Sequence, residues 1–503
     1  MKLSISIKNL IITVICYLYV LLFVYAAVSK LLDFENFQVQ LGQSPLLSAY
    51  AGWVSWGVII TELVISLLLV LNKTRLLGLY LSFTIMVMFT TYIYIILNYS
   101  AFIPCSCGGV LEEMSWTQHM IFNFIFILLC GISIYLKSCE SSIYQTKNTC
   151  IKTFTLIVFC LAIGGVSITL LYRLSEKSIQ YTNKFIRRFP QHFAVEKKRI
   201  DLKYNSYYFA GLEGDIIYLG NATAPFQIRK VDTALHKSEV IHLEFDNKNL
   251  AFRNPRTKVE GNYFYVFEGS IPYVFQGKLQ NWSAALKINS GYYFSQLVPI
   301  DSTNTALRYI APISGENLIG ISNLKDTLDI KVGYHILQKQ IDGIFDTDGS
   351  LHYNQKLNLL CYVHRYRNEF TVFKPDFRLL YRGKTIDTIN QAVIKLIDVK
   401  SQQIKTFAEP PLIVNKMSET DGNFLYINST LRGQYESAIN WKTASVIDVY
   451  DLVNNRYVAS FYIYHLHKDK MRSFIIKDGI VYALIGDHLV SYKLRNDILK
   501  KYQ

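Results

Sequence analysis

Five apolar runs occupy the first third of the chain: Asn9–Ser29, Gly52–Leu71, Leu76–Leu97, Thr117–Leu136 and Thr153–Leu171. Each is long enough to cross about 30 Å of hydrocarbon as a helix, and a helix satisfies its own backbone where no water can. Of the 503 residues, 51% are hydrophobic, and the excess lies before Arg173. The remainder of the chain alternates apolar and polar residues and reads as a globular region. A cleavable leader competes for the first run, with Ala26-Ala27 as a weak cleavage zone. The run is longer than an ordinary leader core of about 7–15 residues, so a retained helix is expected.

Charge sets the orientation. With five spans, Lys2 and Lys8, then Lys73 and Arg75, then Lys137, Lys147 and Lys152 all fall on one side. The opposite side carries Lys30 at a membrane edge, a loop without Lys or Arg between the third and fourth spans, and Arg173 and Lys177 as mild exceptions. The expectation is a multi-pass protein of a bacterial inner membrane, with a cytoplasmic N-terminus and a periplasmic C-terminal domain. Its parts are a membrane domain over 1–140, a cytoplasmic loop and fifth span over 141–177, and an exported domain over 178–503. The net charge of +14 invites a nucleic-acid reading. No basic helix or glycine-interleaved Lys/Arg run accompanies it, so no nucleic-acid partner is expected. Scattered lysines suit a solvated surface and contact with the lipid bilayer's anionic head groups.

The loop Asn98–Trp116 concentrates reactive chemistry. It holds Cys105 and Cys107 one residue apart, Pro104 before them and Gly108-Gly109 after them. A disulfide across one residue is strained, and strain makes it a better oxidant toward a partner thiol. On the exported side disulfides persist. The alternatives are separate bonding of each cysteine, or metal, which lacks a nearby set of four ligands. Ser115 and Gln118 fit a capping box, placing a helix start near Trp116. His119 and Asn123 then share a helical face beneath the loop. His119 is read either as a base that helps form a thiolate or as an interfacial histidine bonded to a loop carbonyl. Glu62 lies inside the second span, where a carboxylate demands a partner or a cavity. Lys30 can reach it by snorkelling. That pair is read as a lock between two helices or as a proton or quinone site. Cys139 and Cys150 fall on the reducing side and are expected to be idle. Cys16, Cys130 and Cys160 lie within apolar helices, where packing is the default.

Together these positions resemble the MauE branch of the DoxX-like membrane proteins, named for methylamine utilisation. The resemblance is carried by Ser29-Lys30-Leu31-Leu32-Asp33-Phe34-Glu35-Asn36-Phe37, Glu62, Pro104-Cys105-Ser106-Cys107-Gly108-Gly109, and Met114-Ser115-Trp116-Thr117-Gln118-His119 with Asn123. It covers roughly residues 5–140. It implies a four-helix membrane bundle that supports disulfide formation in exported proteins. The fifth span and the large fused domain depart from that family's setting and weaken any link to methylamine itself.

After about Ser178, short runs of Tyr, Phe, Val and Ile are bounded by Asn, Asp and Gly, as in Gly261-Asn262-Tyr263-Phe264-Tyr265-Val266-Phe267 and Gly422-Asn423-Phe424-Leu425-Tyr426-Ile427. Such alternation reads as strands. A loose recurrence of about 40–50 residues matches a propeller blade. The expected fold is therefore an all-α membrane helix bundle, with a four-helix DoxX-like core plus a fifth transmembrane helix. An all-β β-propeller of about six or seven blades comes after it, with an array of two-sheet sandwiches as the alternative. This region shows no nucleophile motif, zinc spacing or phosphate loop. His352, His364, His465 and His467 read as surface or turn residues. Phe345-Asp346-Thr347-Asp348-Gly349 hints at calcium, but Leu357 stands where an EF-hand needs Glu, so an ordinary turn is expected. Arg187, Arg188 and Phe189 are candidate tether contacts.

The functional expectation is a redox-associated membrane protein. Cys105 and Cys107 exchange disulfides with an exported protein or peptide partner, His119 assists, and the propeller holds that partner. The cofactor is unknown; a quinone is a candidate acceptor only because electrons must leave. Two other classes compete: a non-enzymatic anchored propeller that senses or scaffolds exported peptides or lipoproteins, and a small-molecule transporter, which a single buried carboxylate supports poorly.

Overall fold

The computed structural model describes residues 5–32, 34, 37–38, 41, 51–99, 114–140, 147–179, 185–245, 252–289, 293–399 and 404–501. The chain divides into two compact units, residues 1–181 with 394–411, and residues 182–393 with 412–503.

The first unit contains five long helices: α1 (Ile5–Leu32), α2 (Ala51–Val70), α3 (Arg75–Tyr99), α4 (Trp116–Glu140) and α5 (Lys147–Ile179). Each is long and apolar enough to cross a membrane. Leu21, Leu67, Leu77, Phe124 and Phe154, one from each helix, are more than half exposed. In water such a surface would aggregate, whereas against lipid it is the stable outside. Inside, Tyr19, Phe23, Leu69, Leu79, Phe83, Cys130 and Ile134 form one core. Two bonds cross it: Tyr19 Oη donates to the Phe126 carbonyl at 2.7 Å, and Cys130 Sγ to the Leu79 carbonyl at 3.1 Å. Cys16 and Cys130 are buried free thiols, in keeping with packing. Gly164 lets α5 close on α3, because a Cβ there would stand 2.9 Å from Val87 Cγ1. This unit also includes a hairpin, Leu396–Val399 paired with Ile404–Phe407.

The second unit is a six-bladed propeller, built among the described residues from six sheets that are antiparallel except where Glu244–Phe245 pairs parallel with Ser283-Ala284 at the edge of one blade. Blade one covers 207–242, blade two 244–289, blade three 294–333, blade four 349–384 and blade five 415–464. Blade six combines 471–494 with Ala194–Asp201, which pairs antiparallel with His488–Leu494 and closes the ring. The innermost strands are Tyr207–Glu213, Arg256–Glu260, Phe294–Pro299, Gly349–Asn354, Asn415–Asp421 and Met471–Lys477.

Within a blade the backbone ladder binds neighbours; between blades side chains do. Gln296 Nε2 donates to the Gly349 carbonyl at 2.5 Å while its Oε1 accepts from Leu351 N at 2.9 Å, joining blades three and four. Arg472 Nη1 donates to the Tyr207 carbonyl at 3.1 Å, joining blades six and one. Blades one and two approach so closely that a Cβ on Gly211 would lie 2.3 Å from the Val259 carbonyl oxygen. The second strands of blades four and five, Leu359–His364 and Phe424–Ser429, are buried at every position. That is why each opens on a run of apolar and aromatic residues.

A strap precedes the first propeller strand. The fully buried Arg187 side chain bonds Asp448 and Glu436 of blade five. Arg188 N donates to Tyr457 Oη at 3.0 Å, the Arg188 carbonyl accepts from Ser460 N at 2.8 Å, and the Phe189 ring stacks on Tyr462 with centroids 4.3 Å apart. The tether residues named from sequence therefore lie along the outermost strand of that blade, Arg456–Tyr464.

Candidate functional site

In the helical unit, polar chemistry gathers where α1 meets α2. Lys30 stands in the last turn of α1 and Glu62 in the middle of α2. Lys30 Nζ meets Glu62 Oε1 at 2.5 Å, with the two side chains 12% and 1% exposed. The ammonium also lies over the Phe37 and Phe89 rings, at 5.7 and 6.0 Å from their centroids. Two aromatic faces and one carboxylate replace the water that a lysine would otherwise hold. Glu62 Oε2 is buried and has no hydrogen-bond partner among the described residues. The pairing accords with sequence logic, because a carboxylate at that depth must find a cation.

The N-terminus of α4 carries the capping box. Ser115 N donates to Gln118 Oε1 at 2.8 Å, and Gln118 N to Ser115 Oγ at 3.4 Å. The helix accordingly starts at Trp116. His119 comes one turn later with its ring 6.0 Å from that of Trp116, and Asn123 is buried beneath it. Cys105 and Cys107 lie outside the described residues. Of the six residues singled out, Lys30 and Glu62 are bonded to each other.

The propeller axis holds a second polar cluster. Glu213, Lys258, Glu260, His352, Glu419 and Lys477 come from the innermost strands of blades one, two, four, five and six. His352 Nε2 lies 2.8 Å from Ser418 Oγ, and its Nδ1 lies 3.7 Å from Glu419 Oε2. Gln355 Nε2 donates to Glu260 Oε1, and Gly261 N donates to Glu213 Oε1 at 2.8 Å. Burial, reinforced by the Glu213 charge, pushes Glu260 up to about 7. Burial and then the Glu260 charge, opposed by Lys258, do the same for Glu419. Burial, with Lys258 beside it, holds His352 down to about 3. The imidazole is neutral there, so its approach to Glu419 is not an ion pair. Two carboxyls able to exchange protons near neutrality thus face one passage.

Sequence reasoning missed this cluster, and it also misread two histidines. His352 and His364 are not surface or turn residues. His352 faces the axis, and His364 is fully buried in a blade-four strand. His364 Nε2 lies 3.0 Å from Arg367 Nη2, and Arg367 is itself wholly buried against the carbonyls of Gln338 and Asp346. The Asp346 carboxylate accepts backbone N–H bonds from Gln340, Ile341, Asp342 and Gly343 at 2.5–3.2 Å. Those amides occupy its lone pairs, which accounts for the turn that the sequence suggested in place of a calcium loop.

Comparison with known proteins bears on part of the first unit. Residues 8–136 match the family model described as Methylamine utilisation protein MauE. This MauE region takes in Lys30, Glu62, Cys105, Cys107, His119 and Asn123 and stops before α5. No curated protein matches the chain. Among solved structures, it is similar to a duf4221 family member from Bacteroides vulgatus (13% identity, covering 61% of this chain and 99% of that one, TM-score 0.39). It is also similar to a protein of unknown function from Bacteroides thetaiotaomicron (12%, 62% and 76%, 0.36) and to a nidogen/laminin complex (13%, 51% and 81%, 0.33). At these scores the likenesses carry no argument. The strand pairing itself defines the propeller, and the five apolar helices define the membrane part, of which residues 8–136 match the MauE model.

Proposed function

We propose that this chain supports thiol–disulfide exchange in exported proteins. The MauE region supplies the reactive cysteines and the propeller is the partner-binding platform. One observation carries the reading: the MauE match spans a loop with two cysteines one residue apart, between helices whose lysines and arginines favour a cytoplasmic N-terminus. On that orientation the loop and the propeller are both periplasmic, and the membrane is the bacterial inner membrane.

Atoms and electrons balance in the exchange. A partner thiolate attacks one sulfur of a Cys105–Cys107 disulfide, which breaks the strained bond and forms a mixed disulfide. The partner's second thiolate displaces that sulfur. The partner is oxidised by two electrons, and Cys105 and Cys107 leave as two thiols carrying its two protons. His119, one turn into α4, is the base in this reading and takes the proton from an incoming thiol. Reoxidation needs a two-electron acceptor, for which a quinone is the candidate class. The Lys30–Glu62 pair holds α1 on α2.

The test is Cys105→Ser and Cys107→Ser, each expressed singly. One of them should trap a mixed disulfide with an exported protein, visible on non-reducing gels and lost on reduction. If neither variant traps a partner and oxidation of exported proteins is unchanged, the reading fails.

A further inference from the structure

Between blades three and four the propeller opens a cleft of about 860 Å³. That is within the range of about 300–1,000 Å³ usual for ligand sites. Its floor is apolar, made by Ile300, Ile321 and Phe377.

The walls are one-sided in their hydrogen-bonding capacity. The acceptors are largely occupied by the fold. Both oxygens of Asp301 are taken by the Thr303 and Asn304 turn beyond it. Asn323 Oδ1 accepts from Lys325 N, and Asn358 Oδ1 from Tyr353 Oη. One Asp376 oxygen accepts from Arg378 N. The donors are free. No hydrogen bond or ion pair among the described residues engages Lys331 Nζ, Lys374 Nζ, the Arg378 guanidinium, or the amide nitrogens of Asn323 and Asn358.

The rim is also fixed in place. Lys374–Arg378 is a tight hairpin closed by Lys374 N to the Arg378 carbonyl and Phe377 N to the Lys374 carbonyl, both 2.9 Å. Phe377 takes φ +65°, a position where glycine is the ordinary choice. Its ring fills the space over Gly333, where a Cβ would lie 2.4 Å from Phe377 Cδ1. A bulky aromatic kept in a left-handed conformation so that it can floor a cleft marks a place where local strain is tolerated.

We propose that this cleft binds an extended acidic segment of a polypeptide, its carboxylates received by Lys331, Lys374 and Arg378 and its backbone carbonyls by Asn323 and Asn358. An extended peptide offers both kinds of acceptor in each acidic residue and apolar side chains for the floor. A small inorganic anion would fill a minor part of the volume and leave the floor uncovered. That the peptide belongs to an exported redox client rests on the function proposed above; the cleft chemistry does not.

The experiment uses the full chain in nanodiscs of zwitterionic lipid and a short fluorescein-labelled peptide of alternating Glu and Leu, read by anisotropy at low ionic strength. Saturable binding is expected. Lys331→Glu with Lys374→Glu should weaken it by about tenfold or more with the melting temperature unchanged. Lys197→Glu with Lys468→Glu, on exposed lysines outside the cleft, should leave it intact. The proposal is overturned by absence of binding, by equal loss in the control pair, by full displacement with phosphate at matched ionic strength, or by tighter binding of an RNA oligonucleotide. The Cys105→Ser/Cys107→Ser protein should bind the peptide normally. Peptide binding with no disulfide trapping would then refute the redox reading alone, and trapping without binding would refute the cleft alone.

Discussion

Arg187 grips Asp448 with both arms of its guanidinium: Nε to Oδ1 at 2.7 Å and Nη2 to Oδ2 at 3.0 Å. Nη1 completes the set with Glu436 Oε1 at 2.6 Å and the Leu431 carbonyl at 2.9 Å. The paired carboxylates hold the arginine firmly protonated despite its burial. The segment entering the propeller is thereby fastened to blade five before it reaches blade six.

Removing that grip strands two buried carboxylates. Arg187→Ala should destabilise the propeller by about 3–5 kcal/mol, the usual cost of breaking a buried pair from one side. Arg187→Lys keeps the charge, loses the fork and should fall between the two. Chemical denaturation monitored by tryptophan fluorescence measures both.

The axial carboxyls make propeller stability depend on pH. Glu260 and Glu419 titrate in the fold at about 7 against an ordinary 4.5, so the folded state holds their protons more tightly. Their contribution is fully present below about pH 4.5 and is lost as pH rises to about 7. His352 acts in the opposite sense, since its lowered value makes the folded state lose stability as pH falls below 6.5 toward about 3. The carboxyl effect is therefore isolated by difference. Relative to the parent, Glu260→Gln with Glu419→Gln should gain melting temperature from pH 5 to about pH 7 and level off above it. A difference that is flat in pH refutes the assignment.

Lys30 and Glu62 should behave as a unit. Lys30→Met or Glu62→Leu alone leaves a charge uncompensated inside the bundle and should sharply lower accumulation in the membrane. The double variant removes both charges and should recover it. Recovery of protein together with recovery of disulfide exchange makes the pair a lock between helices; recovery of protein without exchange gives it a part in the chemistry. Immunoblotting and client oxidation in the same cells separate the two.

Orientation can be read from the thiols. After mild reduction of intact cells, an impermeant maleimide should label Cys105 and Cys107 and spare Cys139 and Cys150, as scored by mass-tag shifts of single-cysteine variants. The reverse pattern would place the reactive loop in the cytosol and remove the proposed exchange.

At Gly211 the fold has no room for a side chain. Gly211→Ala drives a methyl group into the Val259 carbonyl and should cost about 1–3 kcal/mol, readable as a lower melting temperature.

Local chemistry was legible in the sequence. The capping box joins Ser115 to Gln118 three residues on, and the membrane forces Glu62 onto the nearest reachable cation. Strand alternation revealed blades, and their number settles at six, within the expected six or seven. Length alone was ambiguous, because residues 394–411 leave the ring and blade six is assembled from two distant stretches. The axial cluster was not legible. His352 and Ser418 are 66 residues apart and meet only once six sheets are arranged around an axis. His364 was misread because nothing in Leu359–His364 announces that even its polar last position lies inside.

The closing strand carries a consequence for biosynthesis. Ser491 Oγ donates to the Lys198 carbonyl across 293 residues of chain, in the seam where Ala194–Asp201 meets His488–Leu494. As the polypeptide emerges from the ribosome, its earliest propeller strand must wait with an unsatisfied edge until His488–Leu494 has been made. A chaperone that shields that edge would act on the nascent chain during this interval, and a stop codon shortly before His488 would leave the wheel permanently open.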